Sequence, residues 1–506
     1  MWTELLAVTT PSRRELAVAF VALLLAGAAL FGPQVADGGF YWDDWQNSAN
    51  VHVAGDPGLF SSLDRGTLRP VFGYRPVLTV MLVVEHWALG QDKHLHLAMA
   101  VLFGVLTAWA LYLLLRVSGL GRLDSALPAG LLLAFPWVDS TRMWATASFD
   151  TLAVALYLAG AALAVRALRA PPGRVAVVAS LILYLLASWT YEVVTIAVLG
   201  SVALYLAVAP RRAALRRFAL DACVVALALF VVVTGTSRVP QSLGTQIDHA
   251  GSLASQAFSL LARALVPVGY VPGWVGAVAL VLVCAFGLWR GERRWVAVAA
   301  LGALFVACGY ALFVPAAPYY QPLAPGTVTR MNVLAAAGYA VLVYALVRIV
   351  VGRRPWVAAA VCVLIGVGYV VKVAHDEEGW QRSARIQARV LAAVPRASGP
   401  GTTYYTFAAP TYAAPGIPAF SLPFDLKAAV RLRDHTHRVS AYPMARSNVI
   451  ECAPDLVYPT GGTYGRVHGA RYGLAVFVDV PSRRVIPIRS RAECLRWRTR
   501  LGAGPP

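Results

Sequence analysis

The sequence predicts an all-α polytopic membrane protein of about eleven transmembrane helices, followed by a small extracytoplasmic α/β domain. Three observations carry this reading. The 506-residue chain is 58% hydrophobic and only 14% charged, with a mean hydropathy of +0.62; soluble globular chains are about 25% charged. Apolar runs close to the length that crosses roughly 30 Å of hydrocarbon recur as far as residue 374. Beyond that point the composition turns polar, and short β-rich runs alternate with Pro and Gly.

The runs that qualify as spans are 16–36, 95–116, 125–138, 149–167, 174–190, 192–209, 218–236, 272–289, 295–314, 331–350 and 356–374. Arginine sets their direction, because basic residues collect in cytoplasmic loops. Alternate loops carry Arg13/Arg14, Arg116/Arg122, Arg166/Arg169/Arg174, Arg211/Arg212/Arg216/Arg217, Arg290/Arg293/Arg294 and Arg348/Arg353/Arg354. A cytoplasmic N-terminus in the cell membrane and an outer C-terminal domain satisfy every one of these loops. The net charge of +19 is therefore distributed by topology. It is not gathered into a patch for nucleic acid, which is excluded as a partner. Lysine is confined to Lys93, Lys372 and Lys427, a usage typical of a high-GC bacterial genome.

Two domains follow: a membrane domain, 1–374, whose first outer loop is 37–94, and an extracytoplasmic domain, 375–506. Within the loop, "RPVLTVMLVVEHWALG" is apolar but short and reads as an interfacial or re-entrant helix. A second outer loop, 237–265, contains the amphipathic "LASQAFSLLARAL" and Arg238. After residue 375, "AHDEEGWQRSARIQARVLAAV" has the pattern of a surface helix, and "GTTYYTFA", "LAVFVDV" and "RVIPIR" read as strands. Cys223, Cys284, Cys308 and Cys362 lie in apolar runs as packed thiols, whereas Cys452 and Cys494 lie in the outer domain and are candidates for a disulfide.

Chemistry concentrates on the outer face. "GGFYWDDWQN" places Asp43 and Asp44 among aromatics directly after the first span. On its own this would be a capped helix end in an aromatic belt. The same face, however, also carries Tyr74 and Arg75, then Asp139, Arg142 and Asp150 in "FPWVDSTRMWATASFD", then Glu192 in "SWTYE" and Arg330 after Tyr319 and Tyr320. Ionisable residues at span ends are costly and line cavities or pathways. His94/His96 and His435/His437 stand at a spacing that faces opposite sides of a helix, so no zinc site is expected from either pair. Gly461–Gly465 reads as a turn, since it matches no phosphate or dinucleotide fingerprint.

The order of these elements resembles the GT-C superfamily of polyprenyl-phosphate-sugar-dependent glycosyltransferases. The residues that carry the resemblance are "FYWDDW" after span one, "YRPVLTVML", "HLHLAMAVLFGVL", "FPWVDSTRMWATASFDTLAVALYL" and "YYQPLAPGTVTRMNVLAAAGYA". The chain departs from the pattern where "MWATASFD" replaces a more regular Trp–Gly–Arg–Asp-like loop, which bears on Asp150. The resemblance implies inverting transfer of a sugar from a polyprenyl-phosphate donor to an extracytoplasmic glycan, lipid or protein acceptor. It implies that the base lies within Asp43/Asp44; the second acid then orients the acceptor or holds a divalent cation. A carboxylate base suits a weak hydroxyl nucleophile, and arginine suits a lipid phosphate. Arg75 and Arg330 are the candidates for that phosphate, each with a plain alternative: a loop-fixing ion pair for Arg75 and an interfacial helix-end cation for Arg330. Trp42, Tyr74, Asp139, Arg142, Asp150, Glu192, Tyr319 and Tyr320 are the expected cavity lining. No cofactor and no metal are expected. The rivals are a flippase for a lipid-linked glycan and a non-catalytic partner of the same fold; no internal repeat of the kind transporters show is visible.

Overall fold

A computed structural model describes residues 11–53, 62–63, 68–169, 173–235, 241–267, 269, 271–316, 318–396, 399–436, 438–445, 448–461 and 469–503. Arg238, His437 and most of Gly461–Gly465 lie outside them. The chain divides into two compact units. The first holds residues 1–33, 70–79 and 97–377, and the second holds 34–69, 80–96 and 378–506.

Helices of ten residues or more are numbered here: α1 Arg13–Asp37, α2 Asp43–His52, α3 Pro76–Leu89, α4 Lys93–Val117, α5 Arg122–Leu133, α6 Ser148–Arg169, α7 Arg174–Thr190, α8 Val194–Val208, α9 Arg211–Gly235, α10 Leu243–Leu265, α11 Gly273–Trp289, α12 Arg293–Ala311, α13 Val333–Val351, α14 Pro355–Ala393, α15 Pro423–Asp434 and α16 Arg491–Arg500. Among the described residues, seven helical segments are long and apolar enough to cross a membrane, so the chain is a multi-pass membrane protein. These are α1, α4, α6, α9, α12, α14 and the Gly326–Val351 segment that contains α13.

All eleven predicted spans fall on helices, but three of those helices, α7, α8 and α11, have 17, 15 and 17 residues. The run 125–138 falls on α5, whose 12 residues end before Phe135 and Pro136 turn the chain into a short 3₁₀ segment. Apolar composition alone does not separate a full span from such a broken one. The predicted interfacial helix is α3, and "LASQAFSLLARAL" is the second half of α10, which Ser242 caps through a hydrogen bond from the Thr245 N–H. The surface helix expected after 375 continues the last span without interruption, as one 39-residue helix, α14.

In the first unit α13 is buried almost throughout its length, as expected of a helix apolar on every face. It lies directly on α12. A Cβ on Gly302 would come within 2.9 Å of the Leu342 backbone nitrogen, and one on Gly338 within 2.7 Å of the Gly302 carbonyl. Small residues on both helices thus let the backbones touch, the usual packing device where lipid supplies no hydrophobic drive.

The second unit contains α2, α15 and α16 and a four-stranded sheet of order β4–β1–β8–β9. Its strands are β1 Thr403–Phe407, β4 Ser440–Pro443, β8 Ala475–Asp479 and β9 Arg484–Ile488; β2 Tyr412–Ala414, β3 Ile417–Pro418, β5 Val449–Cys452, β6 Leu456–Thr460 and β7 Ala470–Arg471 form two smaller sheets. The three runs predicted as strands are β1, β8 and β9. β1 is parallel to β4 and β8, and β8 turns back into β9 antiparallel. Cys452, at the end of the strand Val449–Cys452, is disulfide-bonded to Cys494 in α16, with Cα atoms 6.0 Å apart. The loop after the first span groups mainly with this unit: Trp42 donates from its indole to Ser421 Oγ at 2.7 Å, Trp45 donates to Gln387 Oε1 at 2.9 Å, and Trp45 packs on the core around Phe420 and Leu426.

Candidate functional site

The acid doublet opens α2. Trp42, immediately before it, has φ +43°, a conformation that costs a non-glycine residue about 1 kcal/mol or more and that collects at functional sites. The turn is held from both ends. Asp44 is fully buried, and its Oδ2 accepts the Tyr41 N–H at 3.0 Å. The buried Tyr41 hydroxyl donates to the Trp380 carbonyl at 2.9 Å and accepts from Gln34 and the Gly39 N–H, each at 3.2 Å. Asp44 is therefore a brace for the turn. Asp43, by contrast, is half-buried, and the first turn of α2 favours its negative charge.

A third carboxylate lies within electrostatic reach of Asp43. Asp425 is fully buried in the first turn of α15. It accepts backbone N–H groups from Ser421 at 2.9 Å, Leu422 at 3.3 Å and Leu426 at 2.6 Å. Burial nonetheless pushes its pKa up to about 7, and the nearby charge of Asp43 raises it further. Asp43, half-buried, and Asp425, fully buried, thus sit in different surroundings on α2 and α15. Asp425 was missed in the sequence because "LPFDLK" reads only as a helix start with Pro at the first position.

In the first unit, Arg75 meets Glu192 through two parallel hydrogen bonds, Nε to Oε2 at 2.5 Å and Nη2 to Oε1 at 2.6 Å. Its guanidinium also sits 4.9 Å from the Tyr191 ring centre and 5.5 Å from that of Tyr74. The fork edge that would grip a phosphate is thus occupied by Glu192, and Arg75 has the geometry of the loop-fixing pair. Asp150 is buried within electrostatic reach of Arg330, Arg75 and Glu192. Arg330 is half-buried over the Trp144 ring, 5.4 Å from its centre. Arg75, Tyr191, Glu192, Asp150, Trp144 and Arg330 therefore form one polar cluster.

Asp139 and Arg142, both expected to line the cavity, are built into the loop instead. Asp139 Oδ1 accepts the Thr329 hydroxyl at 2.7 Å, which ties this loop to the 3₁₀ segment Gly326–Asn332. Arg142 donates to the carbonyls of Leu132 at 2.7 Å and Phe135 at 3.3 Å, supplying partners that the broken end of α5 lacks. Tyr320 stacks obliquely on Tyr319 at 4.2 Å, and its carbonyl lies 3.0 Å from His249 Nε2. Tyr319 is exposed.

An apolar cavity of about 300 Å³ lies in the first unit, lined by Leu253, Phe258 and Leu261 of α10, Val306 and Tyr310 of α12, and Tyr339 of α13. In the second unit a cavity of about 370 Å³ is lined by Phe40, Trp45, Lys93, Gln387 and Arg433, among others.

No family model and no curated protein matches the chain. Among solved structures the chain is similar to the crystal structure of ArnT from Cupriavidus metallidurans in the apo state, at 16% sequence identity and a TM-score of 0.39. That similarity covers 85% of this chain and 86% of the other. A TM-score this low carries no functional weight, so function rests on the residues above.

Proposed function

We propose that the protein is a membrane glycosyltransferase that moves a sugar from a polyprenyl-phosphate donor to an acceptor hydroxyl outside the cell membrane. The observation that carries the reading is the strained Trp42 turn, which presents half-buried Asp43 within electrostatic reach of a second acid of raised pKa, Asp425. Asp43 is the general base. It removes the acceptor proton as the hydroxyl attacks the anomeric carbon, while the lipid phosphate departs as an anion and needs no acid. Asp44 holds the turn. Asp425 lies within electrostatic reach of Asp43 and, with its pKa near 7, carries a proton for much of the time at neutral pH, so the two acids are not both forced to ionise.

Arg330, half-buried over the Trp144 ring and within electrostatic reach of Asp150, is the residue proposed to take the donor phosphate. The apolar cavity along α10, α12 and α13 suits an isoprenoid chain. A flippase is the rival reading. The two separate on the fate of the donor. With radiolabelled sugar on a polyprenyl phosphate in proteoliposomes, a transferase cleaves the sugar–phosphate bond and leaves free lipid phosphate. Movement of intact donor across the bilayer without cleavage would overturn the proposal.

A further inference from the structure

Outside the carboxylate site, the second unit holds a cluster that the sequence pairing of His94 with His96 does not foresee. His94, exposed, turns its Nδ1 to the Val35 carbonyl at 2.7 Å. His96 goes the other way and is fully buried. Its Nδ1 lies 2.8 Å from Glu85 Oε1, and its Nε2 lies 3.1 Å from the Gly90 carbonyl. The His86 ring lies 4.5 Å from the His96 ring, centre to centre. Phe40 closes over both imidazoles edge-on, at 6.2 Å and 5.2 Å. One ligand atom from each of Glu85, His86 and His96 falls within 4.8 Å of the other two, and all three side chains are at most 4% exposed.

We infer that this cluster is a site for a divalent transition metal of the zinc class, held by Glu85, His86 and His96. The hydrogen bonding supports it. A carbonyl accepts only, so Gly90 fixes the proton of His96 on Nε2 and leaves Nδ1 as a lone pair aimed at a carboxylate oxygen. That is the tautomer a metal-bound histidine adopts when a backbone carbonyl orients it. Two lone pairs at 2.8 Å need a cation between them. A proton would serve there, but it would leave Glu85 Oε2 and His86 Nδ1 buried without partners, as they are among the described contacts. Buried polar atoms left in that state are costly. A metal ion satisfies them together. Imidazole nitrogen with one carboxylate oxygen is a zinc-type donor set, and its ligand atoms sit about 3.4 Å apart around a tetrahedral ion.

The ligands come from two elements: Glu85 and His86 lie near the end of α3, and His96 lies in the first turn of α4. Gly90, at φ +64°, makes the turn between α3 and α4. The ion would therefore pin α3 to α4 across that turn.

The test uses the full-length protein in detergent, expressed with zinc in the medium and measured by elemental mass spectrometry. About one zinc per chain is expected, lost in His86→Ala and in His96→Ala. Should those variants fail to fold, wild-type protein stripped by chelator gives the second measurement: zinc added back raises its melting temperature, and cobalt(II) added instead gives the intense visible bands of a tetrahedral site. Zinc-free wild-type protein, with no shift on adding zinc and no cobalt bands, would mean that Glu85 and His96 share only a proton, and the inference fails. Full zinc content in His96→Ala would overturn it equally, by placing the metal elsewhere. Neither readout depends on transferase activity.

Discussion

Replacing Asp425 by Asn tests the carboxylate site through stability alone. The Asp425 carboxyl titrates at about 7 in the fold against an ordinary 3.8. A folded pKa raised above the unfolded value means that the native state holds the proton longer. Its contribution is therefore fully present below pH ~4 and is lost as pH rises through ~7. A rise of about three pH units, at 1.36 kcal/mol each, corresponds to a loss of about 4 kcal/mol between those limits. Asn cannot ionise and loses nothing over that window. It does pay a nearly pH-independent cost of about 1–3 kcal/mol, because an amide nitrogen faces backbone N–H groups that the carboxylate accepts from Ser421, Leu422 and Leu426. The two melting curves should therefore cross: Asp425→Asn melts below wild type at pH 4.5 and level with it or above it at pH 8. Thermal unfolding in detergent, followed from pH 4.5 to 8, reads this directly, and for a chain of this length the pH-dependent part amounts to roughly 4 °C in melting temperature. Asp43→Asn should move the wild-type descent to higher pH midpoints never, and to lower ones always, since it removes a charge that raises the Asp425 pKa. Melting temperatures that run parallel in wild type and Asp425→Asn would refute the reasoning.

Asp43→Asn should cut transfer about 10²–10⁴-fold, the usual contribution of a general base, while leaving the melting temperature above pH 7 unchanged or raised. Asp44→Asn should instead lower it by a few degrees, because its carboxylate holds the Tyr41 N–H in the Trp42 turn; equal stability in both variants would undo this division of roles. Arg330→Ala should raise the donor KM more than the acceptor KM, with Arg330→Lys recovering only part, since lysine lacks the fork; an unchanged donor KM removes Arg330 from the phosphate. Cys452 and Cys494 should resist alkylation until reduced, and non-reduced peptide mapping should find them linked; free alkylation in native membranes would contradict the bond.

Hydropathy found each described helix that is both long and apolar enough to span, because desolvation of a long apolar run depends only on local composition. It overcounted at α5, where Phe135–Pro136 ends the helix after 12 residues. β1, β8 and β9 were legible from short apolar β-formers between turn residues. The acid doublet was legible because two carboxylates beside a span are chemically out of place. Its internal division was not: which acid braces and which faces outward depends on the left-handed Trp42, and nothing in "YWDDW" marks that residue as other than an interfacial aromatic. Partners distant in sequence were equally hidden. Asp425 looked like an ordinary helix cap, Glu192 gave no sign that it pairs with Arg75, and His96 was weighed against His94 when its neighbours are Glu85 and His86. Local pattern reports which side chains are unusual, and tertiary packing decides which of them meet.

The most direct measurement of the central claim is single-turnover sugar transfer in proteoliposomes, with radiolabelled polyprenyl-phosphate donor and outer-face acceptor extract, comparing wild type with Asp43→Asn at matched zinc content and matched folding. Wild type should release lipid phosphate and pass label to the acceptor, and Asp43→Asn should bind donor equally while transferring at least about a hundredfold more slowly. Transfer by Asp43→Asn at the wild-type rate would contradict the assignment of Asp43 as the base and the glycosyltransferase mechanism built on it.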